Sequence, residues 1–284
     1  MKKLAATLGV VGFVMVGPAV AAPFFFSTGS PDGLIGTLSQ RPGAGRVETE
    51  TADDFVLSNQ TLINHATFVG LLPTGTPLSS VSNVEIEFYH VFPADSANPP
   101  SGNVPTRVNS PGDVEIGAAT RDSLGGTLSF TTTVLNPSFS VANTVVTGIH
   151  PRPNQFTGGE GGATGEEVLF DVTFSTPIDL QADHYFFRPE VGLTNGNFLW
   201  LSAPKPITGG SGQFAGDLQS WIRNDSLAPD WLRIGTDITG QGPFNATFSL
   251  SGTTLSGTTP EPGTLALVSL ALAGLATLRR RTQN

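Results

Sequence analysis

Hydrophobic and polar residues alternate with a period of two along much of this chain. Val168, Phe170, Val172 and Phe174 share one face of their segment, while Leu169, Asp171 and Thr173 share the other. Phe244, Ala246, Phe248 and Leu250 alternate with Asn245, Thr247 and Ser249 in the same way. So do Leu128, Phe130, Thr132 and Val134 with Ser129, Thr131 and Thr133, and Val84, Ile86 and Phe88 with Glu85, Glu87 and Tyr89. Successive side chains of a strand point to opposite faces, so each pattern predicts a half-buried β-strand. Further strands are predicted over residues 53–57, 61–71, 139–147, 184–191, 198–202 and 231–238. Phe198-Leu199-Trp200-Leu201 is apolar on both faces and predicts a central strand. Proline- and glycine-rich stretches, such as residues 73–77, 93–105 and 158–165, separate these segments as turns. No convincing amphipathic helix interrupts them. Residues 22–250 therefore read as one all-β domain, an antiparallel two-sheet sandwich of jelly-roll-like or Greek-key type.

The two ends depart from this pattern. Lys2 and Lys3 precede an apolar stretch from Leu4 to Val16, Pro18 breaks it, and Ala19-Val20-Ala21 has small residues spaced for cleavage. Residues 1–21 thus read as a secretory signal peptide, with an uncleaved anchor as the alternative. At the other end, Ser/Thr/Gly-rich residues 251–259 read as a flexible linker. Pro260-Glu261-Pro262-Gly263 follows, then 15 uncharged residues, 264–278, and then Arg279, Arg280 and Arg281. A helix of that length covers roughly 22 Å, short of the ~30 Å hydrocarbon core. Bilayer thinning and snorkelling of the arginines make up the difference. The positive-inside tendency places the arginines in the cytoplasm and Glu261 outside. Pro260 and Pro262 fix φ, remove two donors and bias their predecessors toward extended geometry, so the motif is a stiff strand that a protease can bind.

These tail residues resemble the PEP-CTERM sorting signal of exopolysaccharide-producing Gram-negative bacteria. The resemblance implies cleavage near the Pro-Glu-Pro by a membrane-embedded cysteine protease, an exosortase. The resemblance covers residues 260–284 and implies Pro260, Glu261 and Pro262 as the recognition element and Arg279, Arg280 and Arg281 as the stop-transfer element. It implies signal peptidase and secretion machinery, an exosortase and, transiently, the inner membrane as partners. A permanent single-pass anchor is the alternative. Thr51-Ala52-Asp53-Asp54-Phe55 and Phe248-Ser249-Leu250-Ser251-Gly252 also resemble stretches of sandwich domains carried by such exported proteins, which brings no defined activity.

Charge sharpens the picture. The chain has a formal charge of −9, but five of its 14 basic residues (Lys2, Lys3, Arg279, Arg280, Arg281) lie in the ends. Between the ends, 9 basic face 22 acidic residues, a balance of −13, with Lys205 as the one lysine. No basic face is available for nucleic acid, so no nucleic-acid partner is expected. With no cysteine, the exported domain relies on its core instead of disulfides, and thiolate catalysis is excluded.

Motifs for hydrolases, nucleotide binding and EF-hand calcium are absent, and no catalytic residue is assigned. His65, His90, His150 and His184 lack metal-ligand spacing. Glu85 and Glu87 point the same way and would suit glycoside hydrolysis if they faced a cleft, but the face opposite Ile86 and Phe88 reads as solvent. Adjacent Asp53 and Asp54 at a loop–strand junction are the candidate metal ligands, for a structural Ca²⁺; a turn with both carboxylates bonded to backbone is the alternative. Trp221 and Trp231, near turns, are candidate faces for stacking on sugar rings, with core packing as the alternative. Thr131-Thr132-Thr133 is too short for a flat ice-binding array. The expectation is an exported, non-catalytic surface or matrix module associated with extracellular polysaccharide. A polysaccharide hydrolase or lyase on the same scaffold is the second reading, and a self-assembling structural protein the third.

Overall fold

The computed structural model describes residues 20–43, 45–96, 98, 102–150, 155–204 and 216–256. Pro23–Thr254 is one compact unit; of the second, Met1–Ala22 with Leu255–Asn284, the described residues include just 20–22 and 255–256. Among the described residues the first strands are β1 Val20–Ser27, β2 Ile35–Leu38, β3 Thr49–Leu57, β4 Thr61–Pro73, β5 Val81–His90, β6 Arg121–Asp122 and β7 Leu128–Val141. They continue with β8 Asn143–Val145, β9 Ala163–Leu180, β10 Asp183–Leu193, β11 Leu199–Ala203, β12 Trp221–Asn224, β13 Leu232–Arg233, β14 Asn245–Ala246 and β15 Phe248–Ser256. The fold is all-β, as the alternation predicts.

The pairing decides between the two predicted windings. β2 pairs β11, β3 pairs β10, β4 pairs β9 and β5 pairs β6, all antiparallel and each nested inside the one before. Successive pairs fall on alternate sheets, giving the orders β2-β11-β4-β9 and β3-β10-β5-β6. That is the winding of a jelly roll. Additions widen it. β7 lines the outer edge of β9, β12 and β13 extend beyond β3, and β8 runs parallel to β2. The far edge of β4 is shared, with β15 along Thr61–Phe68 and β11 at Gly70 and Leu71. β1 lies outside β15.

The shared core takes the inward residues of both sheets. Phe55, Ile86, Phe88 and Phe187 come from the six-stranded sheet, Phe68, Phe170, Trp200 and Phe248 from the nine-stranded one, and Phe198 from just before β11. Phe187 lies against Phe248 with ring centroids 4.9 Å apart and against Trp200 at 6.0 Å. Aromatic pairs at such distances contribute beyond the area they bury. The Phe198 ring lies directly over Gly70, where a Cβ would collide with it. The glycine is what lets β4 and β11 approach around that ring.

Four segments differ from expectation. Residues 139–147 are divided between the end of β7 and β8, because Ala142 N–H turns aside to donate to Gly33 O. Residues 231–238 are strand at Leu232–Arg233 alone, and Ile234–Ile238 form a π-helical turn. The Asp237 carboxylate closes that turn by accepting from the Arg233 backbone N–H and guanidinium. The linker reading of residues 251–259 is corrected for its first part: β15 continues through Ser256, with Ser251 paired to His65 and Thr254 to Thr61. Hydroxyl-rich sequence reads as tether, but β4 offers it an edge. Finally, β1 begins at Val20, so the predicted leader boundary after Ala21 falls inside a strand.

Candidate functional site

The two candidate sites read from the sequence are both internal. Trp221 and Trp231 are 1% and 0% exposed, so neither presents a face to a sugar. They belong to a small core on the outer face of the six-stranded sheet, with Ala52, Tyr89, Val91, Phe186 and Leu218. Trp231 donates Nε1–H to Gly112 O, and the Arg223 guanidinium sits 4.3 Å over its ring. The turn signals beside these tryptophans mark segments that fold back over the sheet.

Asp53 and Asp54 are buried, and every carboxylate oxygen accepts from the protein. Asp53 accepts from Ser220 Oγ (3.1 Å) and Ala246 N–H (2.9 Å). Asp54 accepts from Leu218 N–H at both oxygens and lies 2.5 Å from His184 Nε2. Together they fasten residues 218–220 and β14 to β3. The calcium assignment to this pair is therefore corrected: the donors a metal would have to displace are supplied by the fold. Burial first, and the neighbouring Asp54 charge second, push the Asp53 carboxyl well above its ordinary value.

The folded state holds the Asp53 proton more tightly than the unfolded chain, so stability falls as pH rises from about 4 through the folded-state value. Asp53→Asn keeps both hydrogen bonds, with its amide donating to Ser220 Oγ and its oxygen accepting from Ala246. The variant is expected to be at least as stable as wild type at pH 7, with the difference shrinking toward pH 4. Urea-unfolding midpoints across that range measure it. A loss of about 1 kcal/mol or more at pH 7 would show the charged form to be the favoured one.

The most concentrated chemistry lies where the sequence reading expected solvent. On β10, Tyr185, Phe187 and Val191 point into the core, so Arg188 and Glu190 point outward. Register sets Arg188 opposite Glu87 and Glu190 opposite Glu85 on β5, and Arg223 of β12 opposite Glu50 of β3. The Arg188 guanidinium is buried and lies 2.9 Å from Glu190, 3.2 Å from Glu87, 3.5 Å from both Glu48 and Glu50, and 3.7 Å from Glu85. Arg223 Nε donates to Glu50 at 2.7 Å, and Tyr89 OH donates to Glu87 at 2.7 Å. Arg41 closes one side on Glu85 (3.4 Å) and Asp122 (2.8 Å).

One guanidinium cannot neutralise five carboxylates, and the ionisation of the cluster reflects that. Burial would raise Glu50, but Arg188 and Arg223 outweigh it and hold that carboxyl low. Burial wins at Glu85, Glu87 and, most strongly, Glu190, whose carboxyls are held above the ordinary value despite Arg188. Burial would lower Arg188, but the surrounding carboxylates, Glu190 foremost, keep it charged. Glu85 and Glu87 are thus in register, as the sequence indicates, but engaged with arginine and tyrosine.

The outer face of the nine-stranded sheet is different: it is apolar and buried around Val69, Leu71, Leu199 and Leu201, but polar and, among the described residues, partly or fully exposed across β7, β9, the first part of β4 and β15. Register lines up Thr131, Asp171, Thr67 and Ser249 across four strands, and next to them Ser129, Thr173, His65 and Ser251. Neighbours in a row are about 4.8 Å apart, and rows roughly 7 Å apart. Thr67 and Ser249 share a hydrogen bond (2.6 Å). His65 Nε2 lies 2.8 Å from Asp171 and its Nδ1 3.5 Å from Ser251 Oγ. This places a serine, a histidine and an aspartate in sequence, at a point where the register of β15 on β4 shifts between Ser251 and Gly252. Phe24 and Phe26 of β1 pack on the core, so Phe25, 72% exposed, points to this outer face. No alternation marked Phe25, because three consecutive phenylalanines conceal which one is outward. A groove of about 670 Å³ at the end of β4 is lined by Leu72, Pro73, Thr76, Pro77, Val134 and others, with Glu166 its one carboxylate.

The tail residues Pro260, Glu261, Pro262, Arg279, Arg280 and Arg281, and the expected span 264–278, lie outside the described residues. Among the described residues no helix is long and apolar enough to cross a membrane. No curated protein matches the chain. Residues 258–281 match the PEP-CTERM protein-sorting motif, the mark of an exported protein that an exosortase processes and that a C-terminal anchor holds at the membrane before cleavage.

Proposed function

We propose that this protein is a non-catalytic, polysaccharide-associated module of the cell surface or extracellular matrix. In this reading residues 1–21 are a signal peptide removed after Ala21, residues 22–256 carry the jelly roll, and residues 260–284 are the sorting signal with its span at 264–278. The observation that supports it most is the polar part of the outer face of β7, β9, β4 and β15, exposed or half-exposed among the described residues. Its rows of hydroxyls, with Asp171 and His65, match the hydrogen-bonding surface of a sugar polymer, and Phe25 offers the exposed aromatic face that Trp221 and Trp231 do not.

A glycan array probed with the secreted protein tests this, run beside a reducing-sugar assay on every glycan bound. Binding without turnover, weakened roughly tenfold by Thr131→Glu or Phe25→Ala, is the expected result. Turnover of a bound glycan would favour the hydrolase or lyase reading. Binding unchanged in both variants would remove this face from the proposal.

A further inference from the structure

We propose that Glu48, Glu85 and Glu190 form a binding site for a hard divalent cation, Ca²⁺ by preference, at the open side of the buried charge cluster. One carboxylate oxygen from each residue lies within 4.8 Å of the other two. That is about twice a Ca²⁺–oxygen distance, the widest separation at which two oxygens can share one ion. The three residues come from different places, Glu48 just before β3, Glu85 on β5 and Glu190 on β10, so the fold assembles the group.

Glu190 supplies an independent observation. Its side chain is 0% exposed, and neither of its carboxylate oxygens accepts a hydrogen bond among the described residues. Oε2 has the Arg188 ion pair, whereas Oε1 has no donor among the described residues. A buried carboxylate oxygen without a donor forfeits its hydration for nothing. A cation on that oxygen returns what burial removed.

The charge balance agrees. With every carboxyl ionised, as metal binding requires, Glu48, Glu50, Glu85, Glu87 and Glu190 face Arg41, Arg188 and Arg223 with an excess of two negative charges. Arg41 is also shared with Asp122, so the excess is at least that large. One divalent ion cancels it. The ion would displace Arg188 from Glu48, Glu85 and Glu190, which its Nη2 and Nη1 now approach, and leave the guanidinium to Glu50 and Glu87. Entry is from the Glu48 side, where that side chain is 30% exposed, and water completes the coordination. Ligands that are all carboxylate oxygen select Ca²⁺ over zinc or copper.

The test is calorimetric titration of the chelator-treated secreted protein with calcium chloride, with thermal unfolding at about 5 mM Ca²⁺, a level extracellular sites meet. One site per chain and a melting temperature raised by several degrees are expected. Glu48→Gln, at a partly exposed position that tolerates change, is expected to weaken binding roughly tenfold or more, and Glu190→Gln likewise. Asp53→Asn, at the other acidic pair, should bind as wild type does. No heat and no melting shift, or unchanged affinity in Glu48→Gln, would overturn the site. Should Glu190→Gln fail to fold, Glu48→Gln decides alone.

Discussion

Replacing Pro260, Glu261 and Pro262 together by alanine is expected to leave the protein in the membrane fraction with its C-terminal arginines attached. The prolines keep the backbone before the apolar span extended, because each fixes φ and withholds a donor that a helix would need. Alanine does the opposite. It has the highest helix propensity, so the Ala/Leu-rich helix predicted at 264–278 would continue upward through the motif. A backbone closed into helical hydrogen bonds is not available to a protease as a strand. Cell fractionation and intact mass measurement read the result at once. The wild type should be recovered outside cells without residues 279–281, and the variant inside the envelope with them. A variant secreted in shortened form would sink the role assigned to Pro-Glu-Pro.

Arg188→Met carries the largest expected effect on the folded domain. The substitution keeps much of the side-chain volume but leaves five carboxylates with Arg41 and Arg223 alone. Removing one partner of a buried ion pair leaves uncompensated charge and costs about 3–5 kcal/mol. For a domain of this size that lowers the melting temperature by roughly 10 °C. Glu190→Gln in the same chain should recover part of the loss, since Glu190 is the nearest and most deeply buried of the five. Glu190→Gln alone should cost much less than Arg188→Met. The double-mutant cycle isolates the coupling between them. A loss below about 1 kcal/mol in Arg188→Met would mean that the carboxylates neutralise one another by other means.

Residues at the candidate sites show how far sequence can be read. Asp53 and Asp54 stand out as an acidic pair leading into Phe55-Val56-Leu57, and they are functional in the sense of holding the fold. Their partners Ser220 and Ala246 are more than 160 residues away in the chain, which no local pattern reveals. Arg188 gave no signal at all. Between Phe187 and Pro189 it looks like an interruption of a buried strand, and its meaning depends on the register that brings Glu50, Glu85 and Glu87 around it. The tryptophans lie near turns, and sequence cannot tell a turn that faces water from one that folds back across a sheet. The hydroxyl rows were visible as scattered Ser and Thr at every second position, and pairing made them a surface.

Export and fold class were legible in sequence alone, since each rests on local chemistry. Two prolines, an uncharged span and three arginines are a contiguous motif that can be recognised without the fold, and period-two alternation requires strands with one face buried. The jelly-roll winding, the burial of both tryptophans, the arginine shared by five glutamates and the exposure of Phe25 were decided by tertiary structure. Each depends on which strands pair and in what register, and pairing is a relation between distant segments that compete for the same edges.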